Sequence, residues 1–264
     1  MNMLHKWFGA KSDSVDTSSQ YQVGPKDRIY AVGDVHGRVD LLNRILELIA
    51  RDVAKHNDGR TAKIVFLGDY IDRGDNSRDV LDVLMGVRQE LPESHLQFLA
   101  GNHEAAVISF LSDPSGKAEW LRFGGLQTLL SYGVAPPSSN PEPQDLVAVA
   151  DSLRAAMGSH LDFLVSLKPM YRSGDVIFIH AGLDPSRELA DQDEEATLWG
   201  RSDFVDEGGF PGVRVIHGHY DALEVVKTPK RICVDTGAYY SGRLTAVRLD
   251  DDEDFIVADV LDID

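Results

Sequence analysis

Over roughly the first hundred residues, each β-rich apolar run ends at a glycine followed at once by an acid or an amide: "RIYAVGD", "AKIVFLGD" and "HLQFLAGN". Helical patterns come next. "VDLLNRILELIARDVAKH" sets Leu42, Ile45, Ile49 and Val53 at helical spacing, and "SRDVLDVLMGVRQEL" opens on Ser77, a predicted N-cap. "EAAVISFL" repeats the pattern after the third run. Strand, tight turn and helix in alternation predict an α/β domain with a parallel core.

Residues 113–172 depart from that rhythm. "KAEWLRFGGLQTLLSYG" and "DLVAVADSLRAAMGSHLDFLVSL" predict helices on either side of the loop "VAPPSSNPEP", hence a helical insertion over one side of the domain. Five short runs follow: "DVIFIH", "VRVIH", "RICVD", "RLTAVRL" and "DFIVADVL". With few helices between them they predict a second sheet, the last pair forming a hairpin through "DDDED". Residues 28–264 are expected to form one domain and residues 1–27 a flexible arm, whose "LHKWF" stretch is a candidate for docking on the body or a partner.

The polar residues at the run ends carry the chemistry. They are "GDVHG" (33–37), "GDYIDRG" (68–74), "GNHE" (101–104), "HAG" (180–182) and "HGH" (217–219). Ligands of open α/β sheets bind outside the carboxyl ends of the strands, so segments distant in sequence can meet there. Each cluster alone has an ordinary reading: a turn stabiliser, a solvated loop, a helix start capped by Asn102, a satisfied core histidine. Five in series, each bearing O or N donors, point to a metal site instead. Carboxylate, imidazole and amide donors without thiolate suit Mn²⁺, Fe or Zn²⁺ better than calcium. Three His and two Asp exceed what one closed tetrahedral site needs, so two ions sharing a bridging carboxylate are expected. Two such ions are the usual clamp for phosphoester hydrolysis.

Composition narrows the partners. The formal charge of −17 disfavours a basic groove for nucleic acid, while two divalent ions would offset it locally for a small phosphorylated substrate. The single cysteine, Cys233, excludes an intramolecular disulfide and a thiolate cluster, and is expected to be a buried, inert thiol. No apolar run is long enough to span a membrane, and the N-terminal segment lacks the apolar core of a secretory signal. A cytoplasmic protein, monomeric by default, is the expectation.

The series GD-x-HG, GD-x-x-DRG, GNHE, HAG, HGH resembles the PPP family of metallophosphatases, within the calcineurin-like phosphoesterases, over roughly residues 28–249. "RICVDTGAYYSGRLTAVRL" and "LWGRSDF" are similar to segments of its bacterial and phage branch, typified by the phage lambda protein phosphatase. The resemblance implies an α/β fold of two mixed β-sheets packed as a sandwich and flanked by helices. It implies that Asp34 and His36 hold the first metal, that Asp69 bridges, and that Asn102, His180 and His219 complete the second site, with His217 behind them. Arg73 and Arg201 would grip phosphate oxygens, and His103, oriented by Asp72, would be the general acid. The implied reaction is phosphomonoester hydrolysis, on phosphorylated serine or threonine of a protein, by in-line attack of a hydroxide bridging two divalent ions, Mn foremost.

The chain departs from the pattern in two places. Tyr220 and Asp221 follow "HGH" where the branch often has Thr-Pro, and Ser241 stands where the eukaryotic enzymes carry cysteine. Neither is a ligand, but both bear on substrate preference, and Tyr240 is a candidate for lining the site. The alternative is a hydrolase of diadenosine tetraphosphate or a related bis-nucleoside polyphosphate, built on the same motifs. Trp120, Arg122 and Phe123 of the insertion would serve such a pocket. A catalytically silent binding module is opposed by the presence of every expected ligand, both arginines and the His103/Asp72 pair.

Overall fold

The computed structural model describes residues 21–56, 58–206 and 208–262. In chain order β1 (Asp27–Val32), α1 (Val39–Lys55), β2 (Thr61–Phe66), α2 (Ser77–Glu90), β3 (Leu96–Phe98) and α3 (Asn102–Ser112) give the expected alternation. The helices α4 (Gly125–Ser131), α5 (Pro143–Met157) and α6 (Ser159–Val165) follow. Next come β4 (Met170–Ser173), β5 (Val176–Ile179), α7 (Glu194–Trp199), α8 (Ser202–Asp206), β6 (Arg214–His217), β7 (Val226–Lys227) and β8 (Arg231–Cys233). The helix α9 (Ala238–Ser241), then β9 (Arg243–Leu249) and β10 (Glu253–Asp259), complete the order.

Two mixed five-stranded sheets result, in the orders β10-β9-β1-β2-β3 and β4-β5-β6-β8-β7. The period of two along each strand divides the core. Ile29 and Ala31 of β1 and Val65 of β2 meet Phe178, Ile216 and Ile232 between the sheets. Tyr30, Val32 and Phe66, one residue out of phase, pack instead on the helices, where Leu41, Leu42, Ile45 and Ile49 form the buried stripe of α1. Fully burying each such side chain contributes about 1.5–3 kcal/mol. The polar residues at the carboxyl ends of β1, β2, β5 and β6 are thereby turned toward one edge of the sandwich.

Several expectations need correction. The hairpin of β9 and β10 does not join the second sheet; β9 pairs antiparallel with β1, Ile29 opposite Leu249. Both faces of β9 are apolar, Leu244 and Ala246 on the helix side and Val247 and Leu249 between the sheets, so only a covered position suits it. The second sheet recruits β4 and β7 instead, which are short and too polar to announce themselves. The insertion accordingly stops before Met170, short of residue 172. Its two predicted helices are each broken at a glycine with positive φ, Gly124 (+110°) and Gly158 (+52°). Ser77 is the first residue of α2, not its cap, because its hydroxyl accepts the Asp72 N–H.

Most of the expected arm, including "LHKWF", lies outside the described residues. Within residues 21–27, Val23 is buried between the sheets and the Gly24 N–H donates to Ser173 Oγ at 2.9 Å. Cys233 is buried, and burial pushes its thiol up to about 12. Among the described residues no helix is long and apolar enough to cross a membrane.

Candidate metal centre

The turns that follow β1, β2 and β6 hold the chain in conformations that side chains rarely adopt. His36 (φ 45°), Asp69 (51°), Asp72 (70°), Arg73 (67°) and His219 (66°) are the non-glycine residues of positive φ among the described residues. Each costs roughly 1–3 kcal/mol, and such strain gathers at functional sites. The turns also interlock. A Cβ on Gly37 would stand 2.5 Å from the carbonyl oxygen of Gly74, at a φ of +65° that itself favours glycine.

Glu104 ties the second turn to the third. Its carboxylate accepts the N–H groups of Asp69 (2.9 Å), Tyr70 (2.8 Å) and Gly101 (3.0 Å), and it is fully buried. Sequence reasoning gave it no role. A glutamate three residues after the Gly101 N-cap, accepting the Gly101 N–H, is half of a capping box, and that spacing could have found it. Asn102 in turn is the first residue of α3 rather than its cap, which frees its amide for the site.

Two groups of potential ligand atoms, each within 4.8 Å, share Asp69: His36, Asp69 and His103, and Asp69, His180 and His219. Asp69 Oδ2 lies 3.6 Å from His36 Nε2 and 3.4 Å from His180 Nε2. Burial lowers His36 to about 3 and His219 to about 4, and it lowers His180 as well, so all three rings are neutral. His36 Nδ1–H then donates to the Ile71 carbonyl (2.9 Å) and His180 Nδ1–H to that of Leu67 (3.0 Å). Each leaves an unprotonated Nε2 aimed at Asp69, the arrangement seen in metal-binding histidines. Burial opposes the charge on Asp69, but the His103 ring beside it and the His103 N–H that it accepts at 3.0 Å outweigh that and hold it below the usual carboxylate range.

Three features fit a cation. His180 Nε2 faces Asn102 Oδ1 at 2.8 Å, and His219 Nδ1 faces the same oxygen at 3.1 Å. With neutral rings, the first of these sets acceptor against acceptor unless a cation lies alongside. Asp34 Oδ1 is buried without a partner, while its Oδ2 accepts the His219 N–H at 3.0 Å. Burial, then the neighbouring Asp235 and Asp69, push Asp34 well up, and burial takes Asp235 to about 6. To stay ionised, these buried carboxyls would need compensating positive charge beside them, as a cation would supply. Asp235 was not singled out from the sequence, although it stands in the quoted "RICVDTG".

His103 and Asp72 form the expected pair. His103 Nδ1–H donates to Asp72 Oδ2 at 2.7 Å, leaving its Nε2 3.9 Å from Asp69 Oδ2. Burial would lower His103, but Asp69 and the Asp72 hydrogen bond prevail and raise it. Two residues of the insertion, both missed in this role, complete the shell of Asp72. Trp120 Nε1–H donates to Oδ2 at 2.7 Å and Thr128 Oγ1–H to Oδ1 at 2.6 Å.

The remaining candidates separate. Arg73 stacks over the Tyr239 ring at 4.8 Å, and Tyr239 sits edge-on to His36 at 5.5 Å. Tyr239, rather than the candidate Tyr240, is therefore the aromatic at the site; Tyr240 is half exposed and bonded to Asp221. Arg201 stands at the rim, its guanidinium paired with Asp203 (2.9 Å) and Asp184 (3.5 Å). His217 turns away, its Nε2 3.2 Å from Arg231 and its ring against Phe204. Tyr220, in place of the expected Thr-Pro, packs its ring on His219 and donates its hydroxyl to the Arg201 carbonyl.

Comparison with known proteins agrees with this architecture. The family model for calcineurin-like phosphoesterases matches residues 27–243. The symmetrical bis(5'-nucleosyl)-tetraphosphatase of Methylococcus capsulatus is 26% identical, the match covering 84% of this chain and 91% of that one. The enzyme of the same name from Methylobacillus flagellatus is 27% identical with the same coverage. In fold, a protein serine/threonine phosphatase from Saccharomyces cerevisiae superposes with a TM-score of 0.51 at 14% identity, over 89% of this chain and 81% of that one. The polar turns gathered around Asp69 are thus set in the framework of a known hydrolase family, and the chain belongs to the calcineurin-like phosphoesterases.

Proposed function

We propose that this chain hydrolyses a phosphoanhydride bond of a bis(5'-nucleosyl) tetraphosphate, splitting it symmetrically into two nucleoside diphosphates. The observation that carries the reading is the name shared by the curated relatives, which match over more than four-fifths of their own length and of this chain. The likeness to protein phosphatases rests on the motif order and the fold, which both substrate classes share, so a phosphoprotein substrate takes second place.

In this reading Asp34, His36 and Asp69 would hold one divalent ion, and Asp69, Asn102, His180 and His219 would hold the other. The oxygen and nitrogen donors suit Mn²⁺, with Fe or Zn²⁺ as alternatives. Two such ions would acidify a water and neutralise the phosphoryl oxygens. The chain's own residues do the rest. Arg73 is preset by Tyr239 to grip phosphate oxygens, and Arg201 joins it on exchanging its rim carboxylates for phosphate. His103, held by Asp72, is placed to donate a proton to a leaving group basic enough to need one.

The test is product analysis. Incubated with Mn²⁺ and diadenosine tetraphosphate, the protein is expected to release ADP as the sole early nucleotide. Equimolar ATP and AMP would contradict symmetrical cleavage. A kcat/KM for a phosphoserine peptide above that for the dinucleotide would overturn the substrate assignment.

A further inference from the structure

Beside the His103/Asp72 pair lies a groove of about 680 Å³ between α3, the start of the insertion and α7. Trp120 lines it and donates its indole N–H to Asp72, which ties the groove to the His103/Asp72 pair. Ala105 and Ala106, directly after Glu104 on α3, keep the floor low. Two large aromatics flank the opening and stay in solvent: Phe123 is 64% exposed and Trp199 52%. Exposing both costs hydrophobic free energy that either would gain by turning inward. The charges are Lys117 against Glu119, Glu194 and Glu195.

We propose that this groove is a nucleoside subsite, with Phe123 and Trp199 stacking on the base of one half of the substrate. It rests on the dinucleotide reading above and adds the residues that recognise the nucleoside. The charge pattern selects the occupant. Three carboxylates to one ammonium repel a polyphosphate chain, which belongs with the metals and arginines. The same carboxylates accept hydrogen bonds from ribose hydroxyls and from the exocyclic amine of a base, all of which are donors. A flat ring with donors at its edge matches the aromatic and carboxylate lining of the groove. Base–aromatic stacking tolerates any base, so the subsite would distinguish nucleotides from inorganic polyphosphates more than one base from another.

The test uses the Mn²⁺-loaded full chain and compares ADP with inorganic pyrophosphate, which lacks the nucleoside. Phe123→Ala and Trp199→Ala are each expected to lower the ratio of ADP affinity to pyrophosphate affinity by roughly 5–100-fold, measured by calorimetry. The same variants should lower kcat/KM for diadenosine tetraphosphate relative to inorganic tripolyphosphate. Trp199→Phe, which keeps a stacking face, should recover most of the loss. An unchanged ratio in both alanine variants, or equal loss of ADP and pyrophosphate affinity, overturns the subsite. Loss of the ratio in a protein that does not split the dinucleotide keeps the subsite and removes the proposed activity. Symmetrical cleavage with an unchanged ratio does the reverse.

Discussion

Asp69→Asn is expected to abolish hydrolysis, by about 10³-fold or more, and to lower the bound metal in the same preparation. Losing one preorganised electrostatic contact to a transition state commonly costs about 10²–10³-fold. Asp69 is worth more than one contact, because it is the carboxylate common to both ligand groups. The amide is nearly isosteric, and the Asp69 N–H to Glu104 bond survives, so the turn itself is retained. Three neutral histidines would then face a neutral amide, with Asp34 left as the carboxylate toward the first ion. Circular dichroism and metal analysis on the same sample separate this outcome from unfolding. Full metal content with full activity in a folded variant would remove Asp69 as the bridge.

His103→Asn should be selective rather than uniform. General acid catalysis is worth typically about 10²–10⁴-fold when the leaving group is a poor one. An alkoxide needs the proton, so hydrolysis of an alkyl phosphate should fall by that amount. A departing nucleoside diphosphate ends in a phosphate whose second pKa is near ~6, and it leaves as an anion unaided. Symmetrical cleavage of the dinucleotide should therefore slow far less, and an aryl phosphate should behave like it. Equal slowing of alkyl, aryl and anhydride substrates would assign His103 to positioning or to a metal instead. Its Nε2, 3.9 Å from Asp69 Oδ2, makes that contrast worth drawing.

Much of the candidate site was legible because its residues are local. Asp34, His36, Asp69, Asn102, His180 and His219 each lie just beyond the carboxyl end of a strand, where an apolar run stops and a turn begins. The periodicity that predicts the strand also predicts where the chain offers polar atoms. What escaped notice is held by contacts across long separations. Trp120 and Thr128 reach Asp72 over 48 and 56 residues, and no local pattern encodes either bond. Trp120 was a candidate for a nucleotide pocket; it lines a groove and donates its N–H to Asp72. Tyr239 and Tyr240 are adjacent, and only the direction of the short helix α9 decides which of them meets His36. Sheet membership failed in the same way. The sequence of β9 shows a strand buried on both faces but not that its partner is β1, more than two hundred residues earlier. Substrate class is the level the motifs leave open, because the groove beside them is built from α3, the insertion and α7.

The central claim is that two cations, shared through Asp69, make this chain a hydrolase of dinucleoside tetraphosphate. The direct measurement is to strip the protein of metal, titrate it with Mn²⁺, and follow bound ions per chain and ADP release from diadenosine tetraphosphate in one sample. The account predicts no turnover without metal and a plateau in ADP release as occupancy reaches two ions per chain. Full activity at one ion per chain, or in the stripped protein, would contradict it.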